Sequence, residues 1–144
     1  MSEEGKKDMK ELVVSATLDE LVRVQEFVTQ QLEAVECPMK IQFQIELAVE
    51  EIFVNIVNYA YQPKLGEATI RCEVCDQPLQ VTIEFQDQGK KFDPLERESA
   101  DTSEKALLER EGGLGILMVK KSMDDVSYRY ENGKNIFTIR KNLE

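Results

Sequence analysis

Two polar residues inside an apolar segment are the first candidates for chemistry. Glu51 and Asn55 are four residues apart in a segment, 39–61, whose apolar residues recur at the helical period, so both fall on one helix face. An amide oxygen suits Mg²⁺, which takes few protein ligands beside substrate phosphates. A carboxylate one turn earlier can orient or deprotonate an attacking hydroxyl or water. Taken alone, the pair is more simply explained as the polar rim of an amphipathic helix.

A second candidate follows a strand-like run at 79–86. The carboxylate of Asp87 can accept a hydrogen bond from an exocyclic amino group such as that of adenine. Gly89 leaves room for a flat base to approach the backbone. A plain turn after a strand is the competing interpretation.

The third candidate is the glycine-rich stretch Gly112-Gly113-Leu114-Gly115, which precedes a helix ending at 121 or 122. Amide groups at such a helix start can point at a phosphate, with support from the helix dipole. A Walker loop would need Gly-Lys-Ser/Thr at its end, and a Rossmann motif would need a preceding strand and a βαβ unit. Here a long polar loop precedes the glycines and antiparallel strands follow, so both familiar nucleotide folds are disfavoured.

The order of elements that would position these residues is β-α-α-β-β-loop-α-β-β. It predicts a two-layer α/β (α+β) sandwich, with a mixed, mostly antiparallel sheet covered by helices on one face. Thr17 with Glu20 forms a capping-box pattern, Cys37-Pro38 marks a helix start, and Asn132-Gly133 predicts a hairpin turn. Residues 1–10 are predicted to be a flexible N-terminus and 11–144 a single domain. The charged segment 95–111 is predicted to be a flap.

Composition restricts the possible functions. The 144 residues carry a formal net charge of −10, which disfavours direct binding to nucleic acid. The longest apolar stretches are interrupted by polar residues and no secretory signal is visible, which predicts no membrane association and a cytoplasmic location. Cys72 and Cys75 form a C-x-x-C, but without histidine or a second cysteine pair they are interpreted as structural thiols.

The ordered combination of motifs is more specific than any one of them. A buried helix with Glu-x-x-x-Asn, a strand ending in Asp-x-Gly, a polar flap and a Gly-rich helix start resemble the N, G1 and G2 boxes of the GHKL superfamily of Bergerat-fold ATPases. Within it, the chain resembles the small anti-sigma-factor serine kinases of bacterial stress and sporulation. The likeness runs from about Glu11 to Lys141 and is strongest in the segments 48–61, 87–94 and 111–126.

The resemblance implies a role for each matched residue. Glu51 would be the catalytic carboxylate and Asn55 the magnesium ligand. The remaining residues would bind ATP: Asp87 as the acceptor for adenine, Gly89 against the base, Gly113 and Gly115 at the phosphates, and Thr138 in support of the Asp87 site.

Four residues depart from the pattern of the superfamily. Asn58 stands where a basic residue is common, Tyr59 where related kinases often carry histidine, and Lys90-Lys91 where a small residue often follows the glycine. Asn58 and Tyr59 are not expected to abolish ATP binding, but they leave open the rate of phosphotransfer and the choice of partner.

The function implied is a Mg-ATP-dependent serine-protein kinase that phosphorylates a STAS-type antagonist, binds a sigma factor and regulates transcription by partner switching. A homodimer is the expected assembly. The alternative is an ATP-gated protein-binding switch without phosphotransfer. An interaction domain that binds no nucleotide would require all three motifs to be coincidental.

Overall fold

The computed structural model describes residues 7–61, 66–95 and 113–144. This part of the chain forms five strands and three α-helices, and the predicted α+β fold class is confirmed. In chain order they are β1 (Lys7–Ser15), α1 (Leu21–Ala34), α2 (Met39–Tyr59), β2 (Glu67–Cys75), β3 (Gln80–Asp87), α3 (Gly113–Ser122), β4 (Asp125–Glu131) and β5 (Lys134–Asn142).

The strands form one sheet in the order β1-β2-β3-β5-β4, and each neighbouring pair is antiparallel. No parallel pair of the predicted mixed sheet occurs among the described strands. The central pair, β3 and β5, matters most for the site. Its register places Phe85 opposite Phe137 and Asp87 opposite Asn135.

The helices cover one face of this sheet, and the hydrophobic core lies between the two layers. Successive residues of a strand point to opposite faces, so Val81, Ile83 and Phe85 of β3 are all buried in the core. The other face is polar: Glu84 pairs there with Arg71 at 3.6 Å and with Arg129 at 3.7 Å. A sheet with only one apolar face needs only one layer of helices.

Helix α2 is the central helix of this layer. Eight of its residues are buried, with Ile45, Val49 and Phe53 completely so. It begins after Pro38, as predicted, because proline fixes a backbone angle suited to a helix start. None of the helices in the described part of the chain is long and apolar enough to cross a membrane.

Three local predictions need correction or qualification. The flexible N-terminus was placed too far along the chain, since residues 7–10 belong to β1 and pair with residues 72–75. Backbone pairing extends the strand there through mostly charged residues that carry no strand signal. The side chain of Thr17 makes no capping hydrogen bond, and a 3₁₀ turn, Leu18–Glu20, precedes α1. Apart from Leu95, the predicted flap lies outside the described residues.

Candidate functional site

The polar pair on α2 faces the start of α3. Glu51 and Asn55 are both half-buried, one helical turn apart. Burial raises the pKa of the Glu51 carboxyl above its ordinary value, and the neighbouring charge of Glu50 adds to the effect. The electrostatic environment of Glu51 therefore favours taking up a proton more than that of an exposed glutamate.

The carboxylate of Glu51 lies directly against Gly115, in the first turn of α3. A β-carbon at Gly115 would overlap the Oε1 and Cδ atoms of Glu51. Helices α2 and α3 therefore lie so close together here that the Glu51 carboxylate occupies the space of a side chain at position 115. Glycine at this position leaves room for the carboxylate. The first turn of a helix also carries unpaired amide groups and a partial positive charge, which favour a nearby anion.

Asp87, the last residue of β3, ends the strand with a buried carboxylate. Only 7% of the residue is exposed. Its Oδ1 accepts hydrogen bonds from the amide of Gly89 and from Nδ2 of Asn135, both at 2.9 Å. Burial raises the pKa of Asp87, while the two donated hydrogen bonds act in the opposite direction.

The loop after Asp87 is hydrogen-bonded to residues at the C-terminal end of α2. The amide of Gln88 donates to the hydroxyl of Tyr61 at 2.7 Å, and the amide of Lys90 donates to the carbonyl of Ala60 at 3.0 Å. A β-carbon at Gly89 would overlap that same carbonyl group. Glycine is therefore required at this position by the close approach of two backbones.

A pocket opens between α2, β3, β5 and α3. Its walls are mostly apolar, and Asp87, Asn55 and Asn135 supply polar groups. A largely apolar cleft with a few polar groups that fix orientation is typical of a small-molecule site. The other lining residues are Ile52, Ile56, Ala60, Phe85, Lys90, Phe92, Pro94, Ile116, Tyr128 and Phe137.

Two of the seven predicted site residues line this pocket, and the three predicted glycines lie next to lining residues or on α3, which borders it. Asn55 and Asp87 line it, and Gly89 follows Asp87 in the loop at its edge. Gly113 begins α3, and Gly115 lies one residue before Ile116, which also lines the pocket. Glu51 is not among the lining residues and adjoins Gly115 instead.

The structure does not bring Thr138 to Asp87. On β5 it pairs with Glu84 and Ser127, three residues beyond Asn135, so the alternation of the strand turns it to the opposite face of the sheet. Its hydroxyl is buried and has no hydrogen-bond partner among the described residues. The predicted supporting role of Thr138 is therefore wrong.

Asn135, and not Thr138, contacts Asp87, and no local sequence pattern points to it. Its Nδ2 donates to Oδ1 of Asp87, and its Oδ1 accepts from the amide of Phe92 and the hydroxyl of Tyr128. The ring of Phe92 stacks on that of Tyr59, with 5.3 Å between the ring centroids. The Asn132-Gly133 turn could have located Asn135 near the start of β5, but only the β3–β5 register places it opposite Asp87.

The residues present fit a magnesium ion carried by a nucleotide. The amide oxygen of Asn55 and the carboxylate of Glu51 are hard oxygen donors of the kind that Mg²⁺ prefers. No group of three His, Cys, Asp or Glu that could hold a metal occurs in the part of the chain that the structure describes. Such an ion would therefore need phosphate oxygens and water to complete its ligands, as is usual for magnesium in nucleotide sites.

The two cysteines of the C-x-x-C do not form a chelating pair. Cys72 is completely buried in the core, and Cys75 follows three residues later at the end of β2, where the strand alternation turns it to the other face. This arrangement supports their interpretation as structural thiols.

The fold and the site together define an α+β domain with a small-molecule pocket between its sheet and its helices. The chain belongs to the histidine kinase-like ATPase domain family, which matches residues 14–141. The matched region covers the described α-helices, strands β2 to β4 and nearly all of β5, but only the last two residues of β1.

Curated relatives share about 30% of the aligned residues. The chain is 31% identical over 90 residues to an anti-sigma F factor of Caldanaerobacter subterraneus subsp. tengcongensis, covering 62% of each chain. It is 31% identical over 97 residues to the serine-protein kinase RsbW of Listeria monocytogenes, covering 64% of this chain and 60% of the relative. The aligned region thus spans about three fifths of the length of these relatives.

Solved structures show the same fold. The RsbU and RsbW domains of Rv1364c from Mycobacterium tuberculosis match 94% of this chain and 32% of that one, with a TM-score of 0.66 and 14% identity. The histidine kinase AdeS of Acinetobacter baumannii matches 92% of this chain and 68% of that one, with a TM-score of 0.51 and 18% identity.

Proposed function

We propose that this protein binds Mg-ATP and is a serine-protein kinase of the anti-sigma-factor type. It would phosphorylate a STAS-type antagonist, bind a sigma factor and so regulate transcription by partner switching. The observation that carries the proposal is the buried carboxylate of Asp87, held by two neutral donors at the edge of a largely apolar pocket. The names of the curated relatives support the kinase and anti-sigma activities.

Each part of the nucleotide has a matching group in the pocket. The adenine ring fits the apolar walls, and its amino group donates to the carboxylate of Asp87. The phosphates extend toward the first turn of α3, where Gly113 and Gly115 present backbone amides. Asn55 lines the same pocket and would bind the magnesium ion, which would neutralise phosphate charge.

Glu51 is the group that would handle the proton in phosphotransfer. The serine oxygen of the partner forms a bond to the γ-phosphorus, and the bond from that phosphorus to the bridging oxygen of ADP breaks. The serine proton passes to the Glu51 carboxylate. The raised pKa of Glu51 suits this role, because it makes the carboxylate a stronger base.

An ATP-gated binding switch without phosphotransfer is the second candidate. It is favoured by one observation: the Glu51 carboxylate lies against Gly115 and not among the groups that line the pocket. A kinase must move that carboxylate toward the incoming serine, whereas a switch needs no such movement.

The experiment that separates these functions follows the intact mass of a partner. The protein is incubated with Mg-ATP and the STAS-type protein encoded nearest to its gene, beside the variants Glu51→Gln and Glu131→Gln. Glu131 makes the control because it is exposed on β4, where it pairs only at the surface with Arg129. Nucleotide binding is measured for all three proteins.

Gain of one phosphoryl group in the wild type and in Glu131→Gln, but not in Glu51→Gln, is the result expected for a kinase. ATP binding by all three proteins without any gain in mass would favour the switch. Absence of ATP binding in the wild type would overturn both functions.

A further inference from the structure

We infer that Asn135 is a positioning residue that sets the base specificity of the pocket, by holding Asp87 as a hydrogen-bond acceptor for a 6-aminopurine. This inference rests on the proposed binding of ATP and goes beyond it, because it concerns how adenine is distinguished from a 6-oxopurine. It is carried by the hydrogen bonds of the Asn135 side chain.

The amide group of Asn135 is fully used. Its Nδ2 donates to Oδ1 of Asp87 and to the carbonyl of Lys90, each at 2.9 Å. Its Oδ1 accepts from the amide of Phe92 at 3.1 Å and from the hydroxyl of Tyr128. An asparagine side chain offers two N–H donors and two acceptor lone pairs, so all four are satisfied. The residue is also 6% exposed, which leaves its amide little contact with water.

Four separate elements meet at this one side chain. Asn135 lies on β5, Asp87 ends β3, Tyr128 lies on β4, and Lys90 and Phe92 belong to the loop that borders the pocket. Aspartate has the same shape but no donor, and leucine has neither donor nor acceptor. The four hydrogen bonds therefore require an amide side chain at position 135. The residue that this amide affects most directly is Asp87.

Both hydrogen bonds that Asp87 receives go to Oδ1. The donors are the Gly89 amide and Asn135 Nδ2, and no described residue donates to Oδ2. With Oδ1 held from two directions the carboxyl group cannot rotate freely, and Oδ2 remains as the acceptor for a ligand. An ionised carboxylate can only accept, so it pairs with the amino group of adenine and repels the carbonyl oxygen of a 6-oxopurine.

Loss of the Asn135 donor would change this selectivity. The carboxyl group would be free to rotate and, because burial already raises its pKa, would take up a proton more readily. A protonated carboxyl group can donate to a 6-oxo group. The affinity for adenine would then fall, while the affinity for a 6-oxopurine would change little. The preference of the pocket for adenine would therefore decrease.

The test compares binding of Mg-ATP and Mg-ITP, which differ at the 6-position of the base. The variant Asn135→Asp keeps the side-chain shape but replaces the amide donor with a second carboxyl group beside Asp87. The matched control is Asn142→Asp, which makes the same change on the same strand at an exposed position, where the side chain only accepts a hydrogen bond from Gln80. Thermal unfolding is recorded for each variant.

We expect the wild type and Asn142→Asp to prefer ATP, and Asn135→Asp to lose about tenfold or more of that preference, as for a hydrogen bond to a charged group. Equal weakening of ATP and ITP would overturn the inference, since it would show a merely structural role. Equal binding of the two nucleotides by the wild type would also overturn it. Absence of ATP binding by the wild type would instead mean that the proposed function fails.

A second variant keeps the test decisive if Asn135→Asp does not fold. Tyr128→Phe removes one hydrogen bond to Asn135 Oδ1 without adding charge. We expect a smaller loss of ATP preference, about threefold, because the amide of Asn135 is then less firmly oriented. An unchanged ratio in a folded Tyr128→Phe protein, with Asn135→Asp unfolded, would count against the inference.

Discussion

Asp87 is an ionisable residue whose described hydrogen-bond partners, Gly89 and Asn135, are both neutral donors. Its desolvation raises the pKa and makes the charged form costly at neutral pH. A structural role alone could be filled by a neutral side chain of the same shape. The retained charge is therefore better explained by recognition of a ligand than by stability of the fold.

The substitution Asp87→Asn separates these two effects. The remaining amide oxygen can still accept from Gly89 and Asn135, and the desolvated charge is gone. We expect the free energy of unfolding to increase by about 1 kcal/mol. The affinity for ATP should fall by about tenfold or more, because the new amino group cannot accept from adenine. Thermal unfolding and titration with ATP measure the two quantities, and unchanged ATP affinity would contradict the assignment of Asp87.

A substitution at Gly115 tests whether phosphoryl transfer can be lost while the stability of the fold is kept. In Gly115→Ala the atoms nearest to the new methyl group belong to the Glu51 side chain, whose end is flexible and can rotate away. Alanine also has the better helix propensity, so stability should stay within about 1 kcal/mol of the wild type. We expect phosphoryl transfer to fall at least about tenfold because Glu51 is displaced. Unfolding scans measure the stability of the variant, and the intact mass of the partner measures phosphoryl transfer. Full transfer by a folded variant would exclude Glu51 as the group that accepts the serine proton.

At the scale of elements, the loop after β3 depends on its contact with the end of α2. In Gly89→Ala the methyl group would meet the backbone carbonyl of Ala60, which cannot rotate away as a side chain can. The loop must lift, and the hydrogen bond from the Lys90 amide to Ala60 is lost with it. We expect a loss of about 2 kcal/mol in stability together with weaker ATP binding, measured by unfolding and by titration.

The control for this prediction is Gly133→Ala in the β4–β5 turn. Gly133 has φ of 78°, and a β-carbon there would meet nothing within 4 Å. The substitution should cost about 1 kcal/mol through backbone strain alone and leave ATP affinity unchanged. If both glycine variants affected ATP binding equally, the contact between Gly89 and Ala60 would have no special part in the site.

The elements that sequence could predict are those with a local signal. Helical periodicity locates α2, Pro38 marks its start, and Asn132-Gly133 locates the β4–β5 turn, whose two residues have φ of 55° and 78°. In the same way the order of short motifs identifies Glu51 and Asp87 as candidates before any geometry is known.

The features that sequence missed depend on the register between distant strands. Thr138 and Asn135 are both polar residues of β5, and only the pairing of Asp87 with Asn135 shows which of them shares its face. A three-residue error along a strand reverses the face, so a nearly correct position gives a wrong contact. The pairing of residues 7–10 with β2 could not be predicted for a related reason. It is made by backbone groups, which leave no pattern in the side chains.

At the scale of the whole molecule, charge links stability to pH. The chain has a net charge of −10, and the pKa values of Asp87 and Glu51 are both raised in the folded state. A carboxyl group with a raised folded pKa binds a proton more tightly in the folded than in the unfolded state. Its contribution to stability is present below the unfolded pKa and is lost as pH rises through the folded pKa.

We therefore expect the melting temperature to rise as pH is lowered from 8 toward 5, above the isoelectric point of about 4.6. Affinity for ATP should fall as pH is lowered through the folded-state pKa of Asp87, because the protonated carboxyl group no longer accepts from adenine. Unfolding scans and ATP titrations at matched pH values measure the two trends. Parallel trends would contradict the assignment of Asp87 as the adenine acceptor.

General repulsion among surface charges would also make stability fall with rising pH. Its contribution to the pH dependence of stability must therefore be separated from the contribution of Asp87. Salt screens exposed charges strongly and buried groups much less. At high salt the repulsive part of the slope should shrink, and the remaining slope should be smaller in Asp87→Asn than in the wild type. The loss of ATP affinity at low pH should disappear in the same variant, because its side chain at position 87 does not titrate.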